Sequence, residues 1–241
     1  MVGIAGPGDT LATGFALETF RIIKKEFPNL IRCMSTNGLL LADKADEVVE
    51  AGIDTLTVTV NAVDPEIEAQ LNNRIIYHGK IYTGVEAAQI LIENQLAGIE
   101  KVSSRGVLVK VNTVLVPKIN GNHIEEIACC VKDAGASIYN LIPLIPQNEL
   151  KDLPAPTYEE IDAARKAAYP YINFFNHCAH CRRMQLAFLV NTTLERRFLA
   201  KRCLQKKLFP TDKMNKRRKC NFFNFFNGEM NGKIQGCGGF Q

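Results

Sequence analysis

The chain alternates short apolar runs with longer segments whose apolar positions recur at helical spacing. Residues 1–6, "MVGIAG", are an apolar run closed by Gly6-Pro7-Gly8, which predicts a buried strand. Residues 16–27, "ALETFRIIKKEF", predict a helix with Leu17, Phe20, Ile22 and Ile23 on its buried face and Pro28 as its stop. "IRCMS" predicts the next strand, with Asn37-Gly38 as its turn, and "DKADEVVEAG" a helix that Asp43 caps and Gly52 ends. "DTLTVTVNA" is rich in β-branched residues and predicts a strand. Residues 64–82 predict a long loop and residues 84–104 a helix. Strand 107–116, helix 122–135, strand 137–146 and helix 158–169 complete the pattern.

That makes five βα units whose strands are near-continuous apolar runs, as in parallel sheets covered on both faces. Such α/β folds carry their chemistry on the loops at the C-terminal strand ends. Those ends read Gly6-Pro7-Gly8-Asp9, Ser35-Thr36-Asn37-Gly38, Thr59-Val60-Asn61, Asn112-Thr113 and Pro143-Leu144-Ile145-Pro146. Any one of them is an ordinary set of turn formers, but several together predict a polar ligand across the mouth of the sheet. The two glycines admit a ligand close to the backbone, with exposed carbonyls and Asp9 available to an ammonium group. Thr59 and Asn61 suit ribose hydroxyls, and Val109, Val111 and Ile145 suit a flat base. A nucleoside with an amino-acid tail fits this set better than a sugar phosphate, because no glycine-rich nest runs into a helix beside a Lys or Arg.

Charge divides the chain. Residues 1–181 hold 15 Lys+Arg against 22 Asp+Glu, whereas residues 182–241 hold 14 against 3. The basic tail, with Phe222, Phe223, Phe225 and Phe226, has the charge and rings of a nucleic-acid arm. It has neither helical nor strand period and no nucleic-acid motif, so an irregular segment is expected and nucleic acid is not an expected partner. No apolar run is long enough for a membrane span and no signal sequence opens the chain, which predicts a cytoplasmic protein with no membrane partner. Its 8 cysteines then read as thiols or metal ligands. Cys178-x-x-Cys181 aims two thiolates at one iron or at neighbouring irons. Zinc would need two further ligands, and His177 and His180 stand too close in sequence to chelate cleanly with both sulfurs. A thioredoxin-like redox pair would open a helix rather than follow a strand. Cys33 by itself reads as a buried core thiol; Cys129 and Cys130 read as structural, and His78 and His123 have no metal role.

The segments "VGIAGPGDTLA", "CMSTNGLLL", "TVTVNAVDPE", "VKVNTVLVPKIN" and "HCAHCR" together resemble the radical SAM domain of the NifB family of nitrogenase cofactor-maturation proteins. The resemblance spans Val2 to Arg182, in order and at family-like spacing. It implies S-adenosylmethionine (SAM) and [4Fe–4S] clusters as cofactors. The activity it implies is fusion of two four-iron clusters, with a carbide derived from SAM, into the eight-iron precursor of the FeMo cofactor, a lyase-type reaction. Gly6, Pro7, Gly8 and Asp9 match the family's contact to the SAM amino group. Ser35, Thr59, Asn61 and Val111 match positions around the sulfonium tail, ribose and adenine. Cys33 takes the place of a strand cysteine near the substrate clusters, as ligand or methyl acceptor. Cys178 and Cys181 take the place of ligands to an accessory cluster. Cluster donors and nitrogenase cofactor-assembly scaffold or carrier proteins are the implied partners.

Two departures qualify the resemblance. Radical SAM enzymes carry a Cys-x-x-x-Cys-x-x-Cys loop after the first strand, and these 241 residues contain no such triplet. The expected fold is an incomplete (β/α)6 partial barrel over residues 1–182 that lacks the first βα unit and starts at the family's second strand. That first strand would be an exposed edge, and the chain alone is expected to be inactive. Residues 183–241 are expected to be a non-native basic tail. The family continues past the cysteines as Arg-Ala-Asp-Ala-Val-Gly-Leu-Leu-Gly-Glu. One deleted base in a suitable choice of codons turns that into the "RRMQLAFLVN" of residues 182–191, so a shifted reading frame is the expected origin of the tail. A non-catalytic iron–sulfur binding or interaction protein, another radical SAM enzyme and a sugar-phosphate βα enzyme are the alternatives.

Overall fold

A computed structural model describes residues 1–6 and 8–175. Pro7, Cys178, Cys181 and the basic tail lie outside them. The order of elements is β1 (Val2–Ile4), α1 (Phe15–Glu26), β2 (Arg32–Thr36), α2 (Leu41–Glu50), β3 (Thr55–Thr59), α3 (Pro65–Leu71), β4 (Arg74–Tyr77), β5 (Lys80–Thr83) and α4 (Gly84–Ser103). Then come β6 (Leu108–Leu115), the short α5 (Pro117–Asn120), α6 (Ile124–Asp133), β7 (Ile138–Pro143), α7 (Tyr158–Ala168) and β8 (Asn173–Phe174). Six strands form one sheet in the order β1-β2-β3-β6-β7-β8, every pairing parallel. This is the expected incomplete α/β barrel, with β1 at an edge.

The helices cover one face of the sheet, and α1 touches α2, α2 touches α4, α4 touches α6 and α6 touches α7. Alternation along the strands decides which side chains they bury. Leu56 and Val58 on β3 stand in register with Val109 and Val111 on β6, and all four are fully buried. A Cβ on Gly38 would meet Cγ1 of Val58 and Cγ of Gln95 on α4, which places this set on the helix-covered side. The helix seam is tight. Gly98 on α4 leaves no room for a Cβ against Leu41 and the Ala42 nitrogen of α2.

Several boundaries differ from those expected. Helix α2 starts at Leu41 without a side-chain cap, two residues before Asp43, although Gly52 ends it at φ +75°. On α1 the buried residues are Ala16, Leu17 and Phe20; Ile22 is exposed, being out of phase with Leu17 on a helix. The segment 64–82 is not a loop. Asp64 caps α3, accepting from the Glu66 and Ile67 N–H groups, with Pro65 in the first turn. Next, β4 and β5 pair antiparallel around His78-Gly79, both at positive φ. The two-residue β8 had no sequence signal. Among the described residues no helix is long and apolar enough to cross a membrane.

Candidate functional site

The face of the sheet turned away from the helices is polar. Register sets Cys33 beside Thr55 and Leu108, and Ser35 beside Thr57, Lys110 and Ile138; Thr59, Asn112 and Asn140 stand side by side one step higher. Asn140 Nδ2 donates to Asn112 Oδ1 at 3.1 Å. Otherwise the side chains of Cys33, Ser35, Thr55, Thr57 and Thr59 make no hydrogen bond among the described residues, and none of their polar atoms is sealed from solvent. On the helix side, Thr36 Oγ1 donates to Asp9 and Thr113 Oγ1 to the Val60 carbonyl. An inner face of hydroxyls, amides and a thiol with unused bonding capacity is a surface prepared for a polar ligand.

The turn after β1 is fastened above this face. Asp9 Oδ1 accepts from the Leu11 N–H, and Oδ2 accepts from Thr36 Oγ1 at 2.7 Å and the Asn37 N–H at 2.6 Å. Thr10 Oγ1 donates to the Ser35 carbonyl at 2.5 Å. Asp9 thus joins the turn to β2, a positioning role the sequence did not reveal, and its charge is already shared among three protein donors. Gly6 and Gly8 are exposed, and a Cβ on Gly8 would meet nothing within 4 Å. The protein's own packing therefore leaves space against the turn that an incoming group can occupy. A cleft of about 310 Å³ opens there, lined by Ile4, Gly6, Gly8, Asp9 and the start of α1 at Phe15, Ala16 and Thr19.

Buried polar side chains fix the other loop ends. Gln95 of α4, 2% exposed, donates through Nε2 to the Asn37 and Thr59 carbonyls at 2.7 and 2.9 Å, clipping the ends of β2 and β3 together. Asn61 Oδ1 accepts from the Val114 N–H, and Asn120 Nδ2 donates to the Asn61 and Val114 carbonyls. His123 Nε2 accepts from the Val63 and Asp64 N–H groups, which leaves the ring proton on Nδ1, 3.0 Å from Glu126 Oε2. That hydrogen bond holds the Glu126 carboxyl below its ordinary value. Beneath the same segment, burial pushes the Glu68 carboxyl up to about 7, against opposing hydrogen bonds from Asn72 and the Ala62 backbone. Glu68 Oε2 is sealed from solvent with no partner. None of Gln95, Glu68 or His123 stood out in the sequence as part of the site: Gln95 and His123 bond groups on other elements, and Glu68 is set apart by its burial.

The sequence-derived site residues fall as follows. Gly6, Gly8, Asp9, Ser35 and Thr59 gather at the mouth, and Cys33 lies on the inner face below Ser35. Asn61 is present, but its side-chain carbonyl is committed to Val114. Val111 requires a correction. Its side chain is fully buried on the helix side, as is that of Val109, so neither covers a base from within the mouth; the neighbouring residues in phase with the inner face are Lys110 and Asn112. Cys178, Cys181 and Pro7 lie outside the described residues.

The Radical SAM superfamily model matches residues 1–128. The FeMo cofactor biosynthesis protein NifB of Methanocaldococcus infernus is 44% identical over 208 residues, spanning 86% of this chain and 68% of that protein. The chain belongs to the NifB family of radical SAM proteins. The NifB of Methanocaldococcus jannaschii is 46% identical over 182 residues, covering 76% of this chain and 60% of its own length. The chain therefore spans about two thirds of these NifB relatives. A radical SAM methyltransferase from Sphaerobacter thermophilus superposes with TM-score 0.56 at 18% identity, covering 72% of this chain and 49% of its own, which attests the fold.

The inner-face hydroxyls and amides and the open glycine turn suit SAM, whose ammonium, ribose and base all need polar partners near exposed backbone. Cys33 is one thiol, and among the described residues no group of three or more His, Cys, Asp or Glu could hold a metal ion. The described part of the inner face therefore offers a four-iron cluster a single thiol, that of Cys33.

Proposed function

We propose that this chain is the SAM-holding part of a NifB-type enzyme of FeMo-cofactor biosynthesis, whose substrates are two four-iron clusters joined through a SAM-derived carbide into an eight-iron product. The supporting observation is the inner face of unspent hydroxyls, amides and one thiol beneath an open glycine turn, in a chain 44% identical to a NifB. SAM, when bound, supplies the methyl carbon and the one-electron chemistry that activates it. The chain's own residues orient it: Gly6 and Gly8 let the amino-acid end approach the backbone, while Ser35, Thr57 and Thr59 offer hydroxyls along the nucleoside. Asp9, Thr10 and Gln95 hold those groups in place. Cys33 stands on the same face, where a thiolate serves a substrate cluster as ligand or methyl acceptor. Cys178 and Cys181 are the proposed ligands of an accessory cluster.

No Cys-x-x-x-Cys-x-x-Cys occurs in these 241 residues. The isolated chain is accordingly expected to bind a cluster without cleaving SAM, and this favours a cluster-binding or interaction role as the second reading. Anaerobic reconstitution with iron and sulfide tests both. A four-iron optical and paramagnetic signal is expected, with most of it lost in the Cys178→Ala/Cys181→Ala double variant. An unchanged signal in that variant contradicts the ligand assignment, and SAM cleavage by the isolated chain contradicts its inactivity.

A further inference from the structure

The hairpin β4–β5 is packed on one side only. Residues opposite each other in an antiparallel pair share a face, so Ile75 and Tyr82 lie on one side and Arg74, Ile76, Ile81 and Thr83 on the other. The first side is covered: Ile75, Tyr77 and Tyr82 join a cluster with Leu39, Ala87 and Leu91. Tyr77 Oη donates to Asp43 Oδ2 of α2 at 3.0 Å, and His78 Nε2 stands 3.3 Å from the same oxygen. The second side faces solvent, with the directly paired Ile76 and Ile81 60% and 54% exposed. Among the described residues no further strand joins β4 or β5, and neither Arg74 nor Lys80 has an ion pair; Lys80 Nζ lies over the Tyr82 ring at 4.6 Å. Residues 69–85 contain no Asp or Glu, so the hairpin is a basic island in the acidic part of the chain.

Its place in the fold is set by α4. That helix joins β3 to the parallel β6, so it runs back from the mouth. Gln95 lies level with the strand ends, since it bonds the Asn37 and Thr59 carbonyls. Ala87 comes about two turns earlier on α4, so the hairpin packed against it stands beyond the strand ends, on the rim of the mouth.

We propose that the exposed side of this hairpin is the docking surface for an acidic protein that exchanges iron–sulfur clusters at the mouth of the sheet. Apolar residues of that partner cover Ile76 and Ile81, and its carboxylates supply the counter-charge of Arg74 and Lys80. A second copy of this chain laid face to face on the same surface sets Arg74 and Lys80 against like charge. Nucleic acid needs rings to stack on, and both hairpin tyrosines are packed on the covered side. The patch is small, as suits a partner that comes and goes. That the partner carries clusters rests on the function proposed above; the surface itself does not.

The probe is a purified nitrogenase cofactor-carrier protein of net negative charge. It is titrated into the whole chain, anaerobically reconstituted, as wild type, Ile76→Ser/Ile81→Ser and Arg74→Glu/Lys80→Glu, with unchanged unfolding midpoints as the check on folding. The basic tail is the same in all three proteins, so the differences between them read the hairpin. Wild type is expected to bind the carrier, more weakly as salt is added, and both variants to bind it at least about ten-fold more weakly than wild type. SAM binding is expected to be the same in all three. No carrier binding by wild type, or equal binding by the three proteins, overturns the docking surface while SAM binding leaves the functional reading standing. Variants that lose self-association or binding to a DNA oligonucleotide, yet hold the carrier as wild type does, overturn the choice of partner. If wild type binds no SAM, the functional reading fails, and the carrier titration still decides the surface: weakening in both variants upholds it and equal binding overturns it.

Discussion

Gly38→Ala is expected to cost about 3 kcal/mol of folding stability, from a left-handed backbone forced on a residue with a Cβ and from overpacking. Gly38 lies at φ +85°, where the chain turns from β2 towards α2, and an added Cβ would come within 2.7 Å of Gln95 Cγ and 2.9 Å of Val58 Cγ1. Gln95 cannot retreat without surrendering its bonds to the Asn37 and Thr59 carbonyls, so the substitution also loosens the ends of β2 and β3 that carry Ser35 and Thr59. Gly79→Ala is the control: its φ is +76° but nothing lies within 4 Å of the new Cβ, so only the backbone strain of about 1 kcal/mol remains. Urea unfolding of the two variants separates the contributions. Equal losses would mean that the contact between Gly38 and Gln95 carries no weight.

Glu68→Gln is expected to stabilise the protein at pH 8 by about 3 kcal/mol and to make little difference at pH 4. The folded carboxyl keeps its proton up to about 7, whereas the unfolded chain releases it near 4.5. Between those values the folded state binds more protons than the unfolded one, so stability falls as pH rises from about 4.5 to about 7 and stays lower above it. The cause is burial of a side chain only 1% exposed, whose Oε2 meets no donor once ionised. Glutamine has no proton to lose and keeps an acceptor for Asn72 Nδ2. Chemical denaturation of both proteins from pH 4 to pH 8 should give curves that diverge as pH rises; parallel curves would contradict the assignment.

The five βα units were legible because buried parallel strands are apolar runs and because Pro28, Gly52 and the turn at Asn37-Gly38 punctuate them. The hairpin was hidden by its His-Gly turn, which lacks the usual Asn-Gly signature, although Ile75 and Tyr77 alternate with exposed Ile76 as a strand should. The α3 signal, Asp64 followed by Pro65, was present and was outweighed by the polar run after it. At the site, residue types were legible and side-chain direction was not. The alternation of "VKVN" already separates Val109 and Val111 from Lys110 and Asn112, but only the cover supplied by α4 shows that the valines are the outward pair. Gln95 and His123 act through partners tens of residues away, on pairings that a single sequence does not display, and the shift of Glu68 comes from burial, which is equally hidden there.

The proposed function requires SAM to bind at the inner face of the sheet. Calorimetric titration of SAM into the reconstituted chain and into its Ser35→Phe variant, which fills the cradle from a half-buried position, tests that most directly. Saturable binding by the wild type, weakened at least about ten-fold in Ser35→Phe with an unchanged unfolding midpoint, is the predicted result. Equal binding by the two proteins would place SAM elsewhere and contradict the account.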